Sequence, residues 1–402
     1  MTKKQSRAAA GRPRPQGRAP VSWHRHGPLL ALLAGAFLLR AALVLVTDAY
    51  PYDEGCLFSW ALRMADVGPA GFYAPDYFAD YPPGYMLVLW LVGRLMQAFG
   101  LAYTQKSAAL LMALVPILCD LGLAALVYAI GQKNLGRRAG LWLAALAAFC
   151  PAFLFDSAVW RQIDGVLCLC MAGAFWLLEQ KRFVPAAFLY GVALAVKPQP
   201  LLLGPALAVC FLRPLLLPSL PGPALQDAGA RRAARLHALK NGALGVLAAL
   251  APPLAAALPF GPVGSLPALL AEKYWGTAQS YPYASINACN LYAALGANWA
   301  GQEGRFGPLT WQQWGCAGIL FVTGYLLFLA VSCTLSGAVV AVEAILLSTD
   351  SPWVVFLVSG GFCAFVLAVV FISLLTSGYF YGIAASIIGT LWINIYFMEP
   401  YA

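Results

Sequence analysis

LLALLAGAFLLRAALVLV (Leu29–Val46), followed at once by DAYPYDEGCLFSWALRMADVGPAGFYAPDYFADYPPGY (Asp48–Tyr85), decides the fold. The first run is hydrocarbon without period-2 alternation, close to the ~20 residues a helix needs to cross a bilayer core of about 30 Å. The second run holds six of the chain's 16 acidic residues: Asp48, Asp53, Glu54, Asp66, Asp76 and Asp80. Carboxylates interleaved with Tyr, Trp and Phe beside a membrane span predict a polar site that stacks an aromatic-compatible ligand.

Similar apolar runs recur. The spans expected are Leu29–Val46, Ala108–Ile130, Gly140–Phe155, Gly165–Leu178, Val184–Ala195, Leu201–Leu217, Gly242–Leu258 and Cys316–Val331, with two or three more in the tail. At 61% hydrophobic residues, 10% charge and a mean hydropathy of +0.74, this is not a soluble globule. Only helices and closed barrels satisfy their backbone in lipid. The class predicted is therefore all-α, a multi-pass transmembrane helical bundle with a large first extracytoplasmic loop.

The net charge of +9 does not point to nucleic acid. Much of it lies in residues 1–27 (Lys3, Lys4, Arg7, Arg12, Arg14, Arg18, Arg25), a Pro/Gly/Ala-rich tail expected to be disordered and cytoplasmic. An uncleaved first helix fits better than a signal peptide, because the Leu29–Val46 run is long for one. Lys133, Arg137 and Arg138, then Lys181 with Arg182, then Arg231, Arg232, Arg235 and Lys240 mark further cytoplasmic loops. That orientation puts residues 48–83, 160–164, 197–200 and 260–314 together on the extracytoplasmic side of a cell membrane. Gly84–Phe99 carries Arg94 and is expected to be re-entrant or surface-lying. The ten cysteines are scattered and mostly sit in apolar runs, where Cys acts as a small hydrophobe. No C-x-x-C pair or His cluster suggests zinc, and a metal requirement stays open.

Four polar stretches converge on the extracytoplasmic face, where ionisable groups are costly and so are functional candidates. Asp53 and Glu54 follow an aromatic turn, and either carboxylate suits a general base for a hydroxyl. Equally, Asp53 suits the N-cap of a helix-like Cys56–Ala65 run, and Asp48 suits the end of the first span. Asp80-Tyr81-Pro82-Pro83-Gly84-Tyr85 holds its carboxylate before an extended Pro pair. Trp160-Arg161-Gln162-Ile163-Asp164 offers an aromatic, a cation, an amide and a carboxylate, although an interfacial Trp is commonly an anchor. Lys197-Pro198-Gln199 supplies a cation for phosphate or a snorkelling lysine. Tyr281–Tyr292, with Tyr283, Asn287 and Asn290, mixes rings and amides as sugar contacts do, or forms an interfacial belt.

The order D-Y-P-P-G-Y, W-x-Q-x-D, K-P-Q and Y-P-Y-A-S-I-N-A-x-N-L resembles bacterial GT-C type glycosyltransferases that use polyprenyl-phosphate sugars, over about residues 25–330. The D-Y-P-P element also resembles eukaryotic glucosyltransferases that extend lipid-linked oligosaccharides. This resemblance implies a membrane domain over 28–331 and an inverting transfer of a mannose- or glucose-type hexose to an acceptor hydroxyl on a glycan, lipid or protein. It implies Asp53 as base, with Glu54 and Asp80 beside it. It also implies Asp80 and Asp164 as supporting acids and Lys197 toward the donor phosphate; the substrate contacts expected on the residues' own chemistry are Asp48, Tyr81, Trp160, Gln162, Asp164, Lys197, Gln199, Tyr283, Asn287 and Asn290. Partners implied are membrane lipid and the lipid-linked sugar, with no nucleic acid. Arg161 stands where such proteins commonly have Gly. Residues 332–402 resemble the membrane domain of KdpD-type sensor kinases, cut short. A non-catalytic lipid or sugar carrier, a sensor input or an inactive truncated fusion is the alternative expectation.

Overall fold

The computed structural model describes residues 23–204, 207–208, 228–276, 281–286 and 291–320. Among them the architecture is helical. α1 (Trp23–Val46) leads directly into α2 (Pro51–Val67), so the expected large loop is half helix. Pro51 opens α2 with its φ pre-set, and Asp53 and Glu54 in the first turn complement the positive end of the helix dipole. Tyr50 is the N-cap residue and makes no side-chain cap bond, so Asp53 is not the cap considered above. One face of α2 buries Leu57, Phe58, Trp60, Ala61 and Met64. That face packs on Tyr85, Met86, Leu89, Val92 and Met96 of α3 (Pro83–Phe99). The contact is tight at Gly93, where a Cβ would stand 2.0 Å from the Ala61 carbonyl oxygen.

Pro82 and Pro83 start α3 from an extended backbone, as their sequence predicts, and Gly100 ends it in the left-handed region. α3 is continuous. The broken apolar element lies elsewhere. α4 (Lys106–Leu135) is followed by α5 (Arg137–Ala148), which stops before Pro151; the chain then resumes as α6 (Pro151–Leu154) and a π-helical turn, Phe155–Trp160. The two halves are bent by 42°. The span expected over Gly140–Phe155 is thus interrupted, because proline removes a backbone donor and clashes with the preceding turn.

α7 (Asp164–Glu179) and α8 (Phe183–Val196) follow, and α9 (Ala228–Ala257) packs on α8 with Gly191 facing the Ala249 carbonyl at 2.2 Å from its would-be Cβ. Among the described residues, His26–Val46, Lys106–Leu135 and Arg232–Phe260 are long and apolar enough to cross a membrane, and the bent pair makes a fourth if it is one span. Leu38, Val46 and Leu247 lie exposed on these helices, as lipid-facing side chains do. Most of Leu201–Leu217, and the tail after residue 320 with its sensor-kinase resemblance, lie outside the described residues, as does the N-terminal tail up to residue 22. A short hairpin (Arg305–Phe306 with Leu309–Thr310) and a separate cluster of Ala284, Tyr292, Ala297 and Trp311 complete the fold.

Candidate active site

The site is built where the break after α5 meets the start of α2. At the end of the π-helical turn, Arg161 adopts φ 65°, ψ 39°. The Gln162 N–H then donates back to the Asp156 carbonyl at 2.8 Å. This left-handed residue reverses the chain, so that Trp160 and Gln162, on either side of it, reach the same acceptor. For a side chain with a Cβ the conformation costs about 1–2 kcal/mol, and glycine adopts it freely. Here the guanidinium offsets the strain. It is 3% exposed, pairs with the Glu54 carboxylate, and donates to the carbonyls of Val44 (3.0 Å) and Thr47 (2.7 Å) at the end of α1.

Asp53 is the acceptor in question. Its Oδ2 receives Trp160 Nε1 at 2.7 Å and Gln162 Nε2 at 2.6 Å. Its Oδ1 makes no hydrogen bond among the described residues, and the side chain is half-buried. Beside it opens a cleft of about 480 Å³ lined by Tyr52, Cys56, Ser59, Trp60, Tyr77 and Phe78, with Pro51 and Gly55. Burial, helped by the nearby Asp80 and Asp53 charges, pushes the Cys56 thiol up. Both carboxylates are therefore near enough to act on Cys56 at the edge of the cleft.

Asp80 lies near enough to Asp53 to feel its charge and accepts the Tyr281 hydroxyl at 2.5 Å. Burial raises its carboxyl above the ordinary range, opposed chiefly by that hydrogen bond. Tyr281 is raised as well, by its own burial and then by Asp80. Tyr81 stacks near Trp60 (centroids 5.1 Å) and under the Lys197 ammonium at 5.0 Å. Lys197, expected to face a donor phosphate, is 2% exposed and donates to Asp164 Oδ1 at 2.5 Å. Asp164 opens α7, is fully buried, and leaves Oδ2 without a partner among the described residues. A phosphate contact from Lys197 would first have to break this pair.

Other expected residues sit apart. Asp48 is exposed at the rim, where the hydrogen bond and charge of Lys106 (2.7 Å) hold its carboxyl low. Tyr283 turns to Trp299 (5.4 Å between rings), so the Tyr281–Tyr292 stretch reaches the acidic pole through Tyr281 instead. Gln199 is buried at the start of the 3-10 turn Gln199–Leu203. Asn287 and Asn290 lie outside the described residues.

Three groups escaped the sequence reading. Arg40 of α1 donates to Asp120 of α4 (3.2 Å), to Ser157 (3.3 Å) and to the Ala148 carbonyl (2.7 Å), which ties both spans to the chain break. Each is the lone ionisable residue of an expected span, a signal of an intramembrane pair. Asp156 is buried beside the Asp164–Lys197 pair, and nothing in its local pattern announces it. Lys273 donates to the Ala79 carbonyl at 3.0 Å and so props the Asp80 turn, a long-range contact with no local signature. Among the described residues no group of three or more His, Cys, Asp or Glu side chains could hold a metal ion.

Comparison with known proteins adds a partial family match to this geometry. No curated protein matches the chain. An Archaeoglobus fulgidus oligosaccharyltransferase, solved tethered to an acceptor peptide containing the NVT sequon, is similar at 14% identity and a TM-score of 0.42. The likeness covers 93% of this chain and 55% of that one, so the chain spans about half its length. The resemblance of the tail to sensor kinases is not borne out. Residues 78–211 match the model of Glycosyltransferase family 87. This segment contains the D-Y-P-P-G-Y, W-x-Q-x-D and K-P-Q motifs, and its match bears out their resemblance to GT-C type glycosyltransferases.

Proposed function

We propose that this chain is an integral-membrane glycosyltransferase that moves a hexose from a polyprenyl-phosphate donor to an acceptor hydroxyl on the extracytoplasmic side, with Asp53 as general base. The observation that carries the reading is the Asp53 carboxylate. Two neutral donors fix Oδ2, and Oδ1 stays available beside an aromatic cleft. The family match supports the reaction class.

In the step proposed, Oδ1 accepts the acceptor's hydroxyl proton as that oxygen attacks the anomeric carbon. The bond from this carbon to the phosphate oxygen breaks, and polyprenyl phosphate leaves with the electron pair. A phosphate leaves readily, so orientation and proton removal are the protein's main tasks. Tyr52, Trp60, Tyr77 and Phe78 offer ring faces on which a sugar can stack. Asp80, bonded to Tyr281, supplies a second carboxylate near Cys56. The buried Asp164–Lys197 pair lies behind Tyr81 and fixes that ring through its cation. The N-terminus is cytoplasmic in this reading.

The experiment is transfer by the purified full chain in liposomes. Mannose- and glucose-type polyprenyl-phosphate sugars, radiolabelled in the sugar, are supplied with membrane glycolipid extract as acceptor. Label appearing in a new product with release of polyprenyl phosphate is expected. Donor that binds, or crosses the bilayer, without any product would mean a carrier instead.

A further inference from the structure

We infer that Arg161 is a positioning residue for the Asp53 carboxylate, a latch between the chain break and the α1–α2 junction. The inference rests on the reading of Asp53 as base. Three observations support it. First, Arg161 occupies a left-handed backbone position that glycine would fill without strain, so the side chain must be worth having. Second, its buried guanidinium holds Glu54 on α2 and the Val44 and Thr47 carbonyls on α1 at once. Third, its two neighbours, Trp160 and Gln162, hold Asp53.

Consecutive helical residues point about 100° apart. Anchoring both Asp53 and Glu54 to the segment 160–162 therefore fixes the rotation of α2 about its axis, and with it the direction of Oδ1. Lys106, the next cation along, is engaged with Asp48 and the Thr47 carbonyl and does not replace Arg161.

The test uses the full chain in lipid nanodiscs with Arg161→Gly, Glu54→Gln and the double variant, read by thermal unfolding and by transfer kinetics. Each single variant should unfold at a lower temperature. In the Glu54→Gln background, Arg161→Gly should lower the midpoint much less or raise it, because the glycine relieves the backbone. In transfer, each single variant should lose roughly ten- to a hundredfold in kcat with KM within about twofold, as expected for a misaimed group. Free guanidinium ion should restore part of the kcat of Arg161→Gly.

Additive shifts in the unfolding midpoint would overturn the latch. Unchanged kcat in a folded Arg161→Gly would overturn its role in positioning. Loss in Glu54→Gln as deep as in Asp53→Asn would overturn it too, since Glu54 would then be the base. If Arg161→Gly fails to fold, Glu54→Gln alone decides by the same kcat criterion. If the unaltered chain transfers no sugar, the function reading fails, and the stability cycle still decides whether the latch exists.

Discussion

Asp53 is held by the segment 160–164 and Asp164 belongs to it, yet the two carboxylates are treated in opposite ways. Asp53 is half-buried, bonded by two neutral donors on one oxygen, and open on the other. Asp164, four residues beyond Trp160, is fully buried and neutralised by Lys197. A buried pair of this kind costs heavily to desolvate and is poorly placed to exchange partners. A carboxylate held by neutral donors on one oxygen leaves the other oxygen open to a hydroxyl. One acid is therefore suited to take a proton and the other to hold α7 against the end of α8.

The comparison breaks most visibly in activity. Asp53→Asn preserves the shape and both contacts to Oδ2, so its unfolding midpoint should stay close to that of the parent. Its transfer rate should fall about 10²- to 10⁴-fold, the usual range for a general base. Lys197→Met should do the reverse to the molecule as a whole. It strands Asp164 in the interior and should cost about 3–5 kcal/mol in a denaturant titration, while Asp164→Leu with Lys197→Met recovers most of that loss. If Lys197→Met instead unfolded like the parent, the pair would not be the strut described here.

The platform under Asp53 gives a smaller contrast. Gly93→Ala drives a methyl group against the Ala61 backbone and should cost about 1–3 kcal/mol. Gly55→Ala, on the other side of α2, meets nothing within 4 Å and should gain about 0.5–1 kcal/mol. Equal effects at the two positions would contradict the close packing of α2 on α3.

The smallest effect concerns pH. Asp80 titrates higher in the folded chain than its unfolded value near 3.9 because burial disfavours its charge. The folded state then binds more protons, so stability falls as pH rises from about 4 through the folded value. Asp80→Asn removes this penalty. Its unfolding midpoint relative to the parent should therefore climb with pH across that window, and a flat difference would remove the effect.

Much of the fold was legible in apolar run lengths. α7 and α8 lie within one residue of the spans read from sequence at either end, whereas α1 begins six residues before its span and α4 ends five residues after its own. The break at Pro151 escaped because hydropathy averages over it, and α2 was legible in its Cys56–Ala65 run but not in its first turn, where Pro51, Tyr52 and the two acids read as a loop. In the site, residue types were legible but pairings were not. Asp53 and Trp160 both stand out in the sequence, yet the bond between them spans 107 positions. Arg161 was visible as a departure from glycine, and only its backbone angle shows what that departure costs and what offsets it. Arg40 and Asp120 needed only the rule that lone charges in spans find each other.

Donor binding and sugar transfer, measured on one preparation of Asp53→Asn, separate substrate binding from proton removal. Labelled polyprenyl-phosphate sugar should bind within about threefold of the parent while transfer falls at least about 10²-fold. Transfer within threefold of the parent, with binding intact, would show that the base is not Asp53.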